Sequence, residues 1–377
     1  MGASPRVLII AGELSGDRYA EQLGITLRSR CPEIEIVGVG GSNLAKVADT
    51  LVYNTDNNHA MGFWEQFKQR GSQATLLTAL ADYLKSTPVS HAVIIDFQHM
   101  NTKIAAILRQ YDIPITTFIT PSFWIWNDQK GIRRIADYSH NIVTIFQKEQ
   151  ELYAAHHKRT YYFGHPVMQT YTPVVRDDDV LSRRPATIVL YPGSRLQEVH
   201  YHFPDMLKAA QLLQKKDPSL VVFVVSLSPA LDVVIKEYLA KWPVAHLTVE
   251  SSFSDRVLSS CTFVICVAGT TTLDLLLNRI PMISLGKVSY LTYLIGTYVF
   301  GIKLPYAALP NIMAGRSVVP DLTLKEVSPE AIFREALALL DPKTSQQLLE
   351  GYVPIINQLA TGQDPFEETA QLILNDL

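Results

Sequence analysis

Cysteine is nearly absent from this chain. Three thiols, Cys31, Cys261 and Cys266, stand among 377 residues, and they share no metal-ligand spacing. Cys261 and Cys266 fall in an apolar run and read as buried thiols in a reducing compartment. An excess of one charge is missing too: 33 Lys and Arg against 36 Asp and Glu leave a net charge of −3. That balance offers no broad basic face and excludes a nucleic-acid partner. The longest uncharged apolar run, Val288 to Ile302, falls short of the roughly 20 residues that span a bilayer. The N-terminus has no apolar signal-peptide core, and Arg6 stands where N-myristoylation needs Ser or Thr. The dinucleotide fingerprint G-x-G-x-x-G does not follow the first strand. These absences leave a chain that is soluble or lies on a membrane surface.

The composition fits cores to bury: 47% of residues are hydrophobic and 18% charged. The length suits two domains. Strand and helix signals alternate. RVLIIAG (6–12) reads as a strand, DRYAEQLGITLRSR as a helix, and EIEIVGVGG, HAVIIDF and ITTFITP (115–121) as further strands. Such alternation predicts a parallel sheet covered on both faces. TPVVRDDDVLSRRP (172–185) is charged and proline-bounded, and reads as a linker. The pattern then restarts at ATIVLYPGSR (186–195), with VVFVVSLSP and TFVICVAGT as later strands. The expected architecture is α/β, with two Rossmann-like doubly wound domains, 1–171 and 186–377, facing a cleft. The last helix, PFEETAQLILNDL, leaves its parent domain open and is free to pack back on the first. In such sheets ligands bind beyond the carboxyl ends of the strands.

Most of the chemistry-bearing clusters fall at those ends. In YPGSRLQEV, Ser194 and Arg195 sit at a helix start, where exposed N–H groups favour an anion and arginine adds a phosphate clamp. Glu198 can pin that arginine. In VAGTTTLDLLL, Gly269, Thr270 and Thr271 offer small residues and hydroxyls at a second helix start, with Asp274 about one turn in. That pattern suits a diphosphate at the loop and a ribose diol on the carboxylate. Each loop also has a plainer reading as an ordinary capped turn.

The other half carries GELSGD, with Ser15 and Asp17 at a helix start, and HAVIIDFQHMN. In the latter an apolar strand ends in Asp96, Gln98, His99 and Asn101. His99 and Asp96 are the candidate bases. PSFWIW places Ser122 and Trp124 after a strand, where they wall a pocket or pack in a core. MGFWEQFKQ puts Phe63, Trp64 and Phe67 on one helix, as a membrane-facing or a buried stripe. Asp177, Asp178 and Asp179 match D-x-D, but in the linker they read as a solvated charge run. No metal site is expected.

Taken together, GELSGD, MGFWE, IDFQHMN, PSFWIW, FGHP, YPGSRLQEV, AGTTTLD and ALPNIMAGR (308–316) resemble the lipid-A-disaccharide synthase family, in the family's order. The resemblance implies a GT-B fold and an inverting, metal-independent hexosyltransferase without cofactor. That activity joins UDP-2,3-diacylglucosamine to 2,3-diacylglucosamine 1-phosphate and releases UDP. It implies a cytoplasmic protein, peripheral at the inner face of the cytoplasmic membrane, and leaves a homodimer open. The second half is expected to hold UDP through Ser194, Arg195, Glu198, Gly269, Thr270, Thr271, Asp274, Asn311 and Arg316. The first half is expected to hold the acylated sugar phosphate through Ser15, Asp17, Asn101, Ser122 and Trp124.

Three positions depart from the family. Asp274 stands for Glu, Gln169 for the Asp after GH-x-x-x, and His99 for the favoured catalytic Asp. A histidine can still take a proton near neutral pH. The two lost acids keep alternatives open: a transferase with another lipid or polysaccharide-precursor acceptor, or a nucleotide-sugar-binding protein without catalysis.

Overall fold

The computed structural model describes residues 4–12, 14–56, 65–97, 100–121, 128–177, 179–287 and 306–377, with 14, 65–70 and 72 as backbone alone. The chain divides into two units, residues 1–169 with 358–377 and residues 170–357.

In the first unit the apolar runs fold as strands because both faces are covered, so period-2 alternation is not needed. The order is β1 (Arg6–Ala11), α1 (Leu14–Arg30), β2 (Glu35–Gly40), β3 (Thr50–Asn54), α2 (Glu65–Ser86), β4 (His91–Ile95), α3 (Asn101–Arg109), β5 (Ile115–Phe118), α4 (Gln129–Tyr138), β6 (Asn141–Thr144), α5 (Gln147–Ala154), β7 (Thr160–Tyr162) and the short α6 (Val167–Thr170). The seven strands are parallel in the order β3-β2-β1-β4-β5-β6-β7. Leu8, Ile10, Ala92 and Ile94 face one core with Ile104 of α3 and Ile132 and Ile135 of α4. Val7, Ile9, Val93 and Ile95 face the other, with Leu23 and Leu27 of α1.

The second unit repeats the plan. It contains β8 (Thr187–Tyr191), α7 (Leu196–Lys216), β9 (Val221–Val225), α8 (Pro229–Lys241), β10 (Leu247–Glu250), α9 (Asp255–Ser260), β11 (Phe263–Val267), α10 (Thr271–Leu277), β12 (Met282–Gly286), α11 (Leu309–Ala314), β13 (Asp321–Thr323), α12 (Pro329–Leu339) and α13 (Pro342–Leu359). Its six parallel strands run β10-β9-β8-β11-β12-β13. Both sheets therefore reverse strand order beside their own first strand, between β1 and β4 and between β8 and β11. Such switch points are where doubly wound sheets open a ligand crevice. The motifs at residues 12–17 and 96–101 flank the first; those at 192–195 and 268–271 flank the second.

One boundary differs from the sequence reading. The charged stretch 172–185 groups with the second unit. Val174 N–H donates to Asn278 Oδ1 at 2.8 Å, and the Arg176 guanidinium donates to the carbonyls of Arg279 and Cys261. Asp177 and Asp179 each pair with Arg183 at 2.6 Å, which occupies the D-x-D carboxylates described there. Residues 358–377 belong with the first unit, a placement the sequence left open. There α14 (Pro365–Asn375) buries Phe366, Ala370 and Ile373 in the second core. Each of the two larger side chains contributes about 1.5–3 kcal/mol by removal from water.

Polar pairing completes the docking of α14. Asp376 takes Arg159 Nη2 on both oxygens at 2.7 and 2.9 Å, and Asn141 Nδ2 at 2.7 Å. Asn141 also donates to Thr116, which meets buried His91. Asp376→Ala is expected to cost about 1.5–3 kcal/mol, the range for hydrogen bonds to charged groups. The check is a lower urea midpoint; an unchanged midpoint would mean that the apolar face alone holds the helix.

Candidate functional site

At the second switch point, β8 ends in Tyr191 and the chain turns through Pro192 and Gly193. Gly193 has φ +109°, and a Cβ there would lie 2.5 Å from that of Glu198. Only glycine accepts both conditions. The helix α7 begins at Leu196 with Arg195 as N-cap, so Glu198 stands at its third position. Counted from that cap, Glu198 fits the capping-box spacing. Glu198 Oε2 accepts the N–H groups of Ser194 and Arg195 at 2.8 and 3.2 Å, and Oε1 meets Arg195 Nη1 at 3.2 Å. The arginine side chain remains 74% exposed. The carboxylate thus holds an anion-receptive turn in shape while leaving the guanidinium open to solvent.

β11 lies beside β8 and ends in the second loop. Gly269 and Thr270 are exposed and Thr271 is half-buried. Thr272, not Thr270, closes the turn, by donating its hydroxyl to Gly269 O at 2.6 Å. Thr270 makes no side-chain cap. Asp274 lies on the exposed side of α10. Tyr191, which the sequence reading quoted without assigning, connects the two loops. Burial raises its phenol pKa, while hydrogen bonds with Thr271 and Ser194 pull it down.

Asn311 has a different role from the expected nucleotide contact. It is fully buried. Its Oδ1 accepts the N–H groups of Val318 and Val319 at 2.7 and 2.9 Å, and its Nδ2 donates to Val319 O at 3.0 Å. Both ends of the amide are spent on the turn after α11. That turn passes through Gly315, at φ +64°, and presents Arg316 to solvent. Asn311 shapes the arginine loop from beneath.

At the first switch point Asp17 is likewise structural. Its buried carboxylate accepts the N–H groups of Gly41, Asn43 and Leu44 at 2.7, 2.9 and 3.2 Å. These donors lie in the loop after β2, so Asp17 ties β2 to α1 and is not a free acceptor-binding group. Ser15 is half-buried two residues before it. Gly12 passes under the Phe97 ring, where a Cβ would lie 1.9 Å from a ring carbon.

The carboxyl edge here stores strain. Asp96 (φ +34°) and Ile119 (φ +65°) end the neighbouring strands β4 and β5, and Asp96 N–H donates to Ile119 O at 3.2 Å. A β-branched residue in that region is a costly conformation, of the kind found at functional sites. Asn101 is 2% exposed, and its side chain meets the Tyr138 hydroxyl, whose pKa burial raises and this contact lowers. His99, Ser122, Trp124, Phe63 and Trp64 lie outside the described residues, and of Phe67 only the helical backbone is described.

Next to the strained edge lies Glu149, which the sequence reading missed. It is 1% exposed. It accepts Thr120 Oγ1 at 3.1 Å and the N–H groups of Ile145 and Phe146, each at 3.2 Å. Burial lifts its pKa from 4.5 to about 8; the three donors oppose the rise, and the charge of Asp96 adds to it. The only sequence signal was its place three residues after Phe146 at the start of α5. Between the unfolded and folded values the native state keeps a proton that the unfolded chain has lost, so stability falls as pH rises through that window. Glu149→Gln removes this slope. Relative to the parent, its melting temperature is expected to rise between pH 5 and pH 8.5. A constant difference in thermal scans would mean that Glu149 does not titrate there.

Among the described residues no group of three His, Cys, Asp or Glu could hold a metal ion, and no helix is long and apolar enough to cross a membrane.

The comparisons agree with this geometry. In the solved structures, Arabidopsis thaliana UGT89C1 aligns with a TM-score of 0.65 at 11% identity, covering 99% of each chain. UDP-GlcNAc 2-epimerase from Neisseria meningitidis bound to UDP-GlcNAc aligns at 0.61 and 12%, covering 98% of each. These likenesses establish the fold, two Rossmann-like units of the GT-B kind. In sequence, the lipid-A-disaccharide synthase of Myxococcus xanthus is 29% identical over 366 residues, 94% of this chain and 93% of its own. The family model for lipid-A-disaccharide synthetase matches residues 7–359, nearly the whole chain, and the chain belongs to that family.

Proposed function

We propose that this chain is an inverting hexosyltransferase that joins UDP-2,3-diacylglucosamine to 2,3-diacylglucosamine 1-phosphate, giving a lipid A disaccharide and UDP. The family match over residues 7–359 carries the reading. The geometry of the second unit supports it. The diphosphate lies at the turn of Ser194 and Arg195, with Gly269, Thr270 and Thr271 on the adjacent strand end. The exposed Asp274 takes the ribose diol. Arg316, on the turn braced by Asn311, adds a second cation.

In the reaction the acceptor hydroxyl attacks the anomeric carbon from the face opposite UDP. One base removes the hydroxyl proton as the glycosidic bond forms. The bond to the diphosphate breaks, and its negative charge grows on oxygens near Arg195 and the first N–H groups of α7 and α10. Donors already aimed at that position stabilise developing charge without reorganising. His99 is the proposed base. The strained Asp96 lies three residues away, and the buried Asn101 orients the acceptor. The protein works peripherally at the inner face of the cytoplasmic membrane, with Phe63, Trp64 and Phe67 as the anchoring stripe.

A second reading draws on His99 and Gln169, which replace two of the family's acids: the same chemistry with a different acyl-sugar acceptor. UDP release measured against a panel of acceptors separates the two. The first reading expects release with 2,3-diacylglucosamine 1-phosphate. Release only with another lipid acceptor would favour the second, and none with any acceptor would sink both.

A further inference from the structure

His202, in the second turn of α7, is 1% exposed, yet both ring nitrogens are engaged. Nδ1 lies 2.8 Å from the carbonyl oxygen of Glu198. Nε2 accepts the N–H of Lys287 at 2.9 Å. A carbonyl can only accept and a backbone N–H can only donate, so the ring is neutral and its tautomer is fixed, with the proton on Nδ1. Lys287 follows β12 directly, and its ammonium also reaches back to Asp205 of α7 at 3.0 Å. The first turns of α7 are therefore bolted twice to the exit of β12.

Glu198 is the residue whose carboxylate holds the N–H groups of Ser194 and Arg195. We propose that His202 is a positioning residue for nucleotide binding, fixing the turn of α7 that shapes the diphosphate clamp against the end of β12. The inference rests on the reading that Ser194 and Arg195 take the diphosphate. An apolar side chain would fill the same space but would leave the Lys287 N–H without an acceptor and release the Glu198 carbonyl from the ring.

The same geometry sets a response to acid. The charged groups facing the ring are Glu198 and Asp205 on α7 and Lys287 at the end of β12. Burial holds the imidazole pKa below 6.5 and the Lys287 charge adds to this; the hydrogen bond to the Glu198 carbonyl and the two carboxylates only partly offset it. Once protonated, Nε2 points a second donor at the Lys287 N–H and places a cation beside the Lys287 ammonium. The clamp then loosens as pH falls below the ring's lowered pKa.

Calorimetric titration with UDP tests this on His202→Leu, His202→Gln and Arg195→Ala. The Leu variant is expected to bind UDP about tenfold more weakly than the parent at pH 7.5, the loss of one to two net hydrogen bonds. Glutamine supplies one donor and one acceptor and never ionises, so it is expected to restore most of the affinity. UDP titrates its own phosphate, and that contribution is common to all variants. The parent should therefore lose more affinity in acid than His202→Gln does. Thermal scans check folding, and if the Leu variant unfolds, the parent and Gln curves decide. If Arg195→Ala weakens UDP but both His202 variants match the parent at every pH, the positioning role is overturned and the phosphate reading stands. A Gln variant as weak as the Leu variant would reduce His202 to packing and also overturn it. If Arg195→Ala leaves UDP affinity unchanged, the phosphate reading fails and takes this inference with it.

Discussion

His99→Ala is expected to lower turnover by about 10²–10⁴, the usual share of general-base catalysis. UDP affinity should be unchanged, because the residues proposed to hold the nucleotide lie on the other unit. The neutral imidazole must take the acceptor proton, so parent activity should rise with pH through the ring's pKa, ordinarily about 6.5. A carboxylate base would place that rise near pH 4. His99→Asp restores the family's residue and, if the acceptor is 2,3-diacylglucosamine 1-phosphate, should keep or improve disaccharide synthesis. Full activity in His99→Ala on a proven substrate would move the role to Asp96. That residue already stands at a strained strand end, and its charge bears on buried Glu149.

Arg195→Ala should weaken UDP binding about ten- to a hundredfold, from loss of a charge-assisted contact of about 1.5–3 kcal/mol. The size of the effect follows from the geometry. The guanidinium is 74% exposed and touches only the Glu198 carboxylate among the described ion pairs. It is held in place without being neutralised by burial. Arg195→Lys should recover only part of the loss, because an ammonium cannot present the two-pronged face of a guanidinium to a phosphate. Calorimetric titration reads both variants. Equal affinities across parent, Ala and Lys would place the diphosphate elsewhere.

The strands were legible because buried parallel strands are written as unbroken apolar runs. Arg6–Ala11, His91–Ile95, Thr187–Tyr191 and Phe263–Val267 each end in glycine or a polar cluster. The candidate site residues were picked out at those ends for the same reason. The duplicated strand order was not legible, since order depends on which strands pair across long crossovers. Local motifs also misled about Asp17 and Asn311. Both sit in ligand-like sequence, yet each spends its side chain on backbone groups that the fold brings to it. Glu149 and His202 escaped notice because their meaning lies in distant partners. Thr120 is 29 residues from Glu149, and Lys287 is 85 residues from His202. A single acid or imidazole inside an amphipathic helix carries no mark of such a partner.

The connector was misplaced for a physical reason. Charge and proline around residues 172–185 suggest a solvated connector, but Asn278 and the carbonyls of Arg279 and Cys261 give its backbone and Arg176 fixed partners. The terminal helix carries its apolar stripe at Phe366, Ala370 and Ile373. A stripe says that a helix is buried, not on which unit. The pairing of Asp376 with Arg159 and Asn141 settles that choice.

The claim that this chain transfers an acylated sugar with inversion has one most direct test. The purified protein is incubated with UDP-2,3-diacylglucosamine and 2,3-diacylglucosamine 1-phosphate, and the products are read by mass spectrometry and by NMR at the new anomeric centre. The account predicts one disaccharide per UDP released, with the α-linkage of the donor turned to β. Retained configuration, or UDP released at the same rate without the acceptor and with no disaccharide formed, would contradict it.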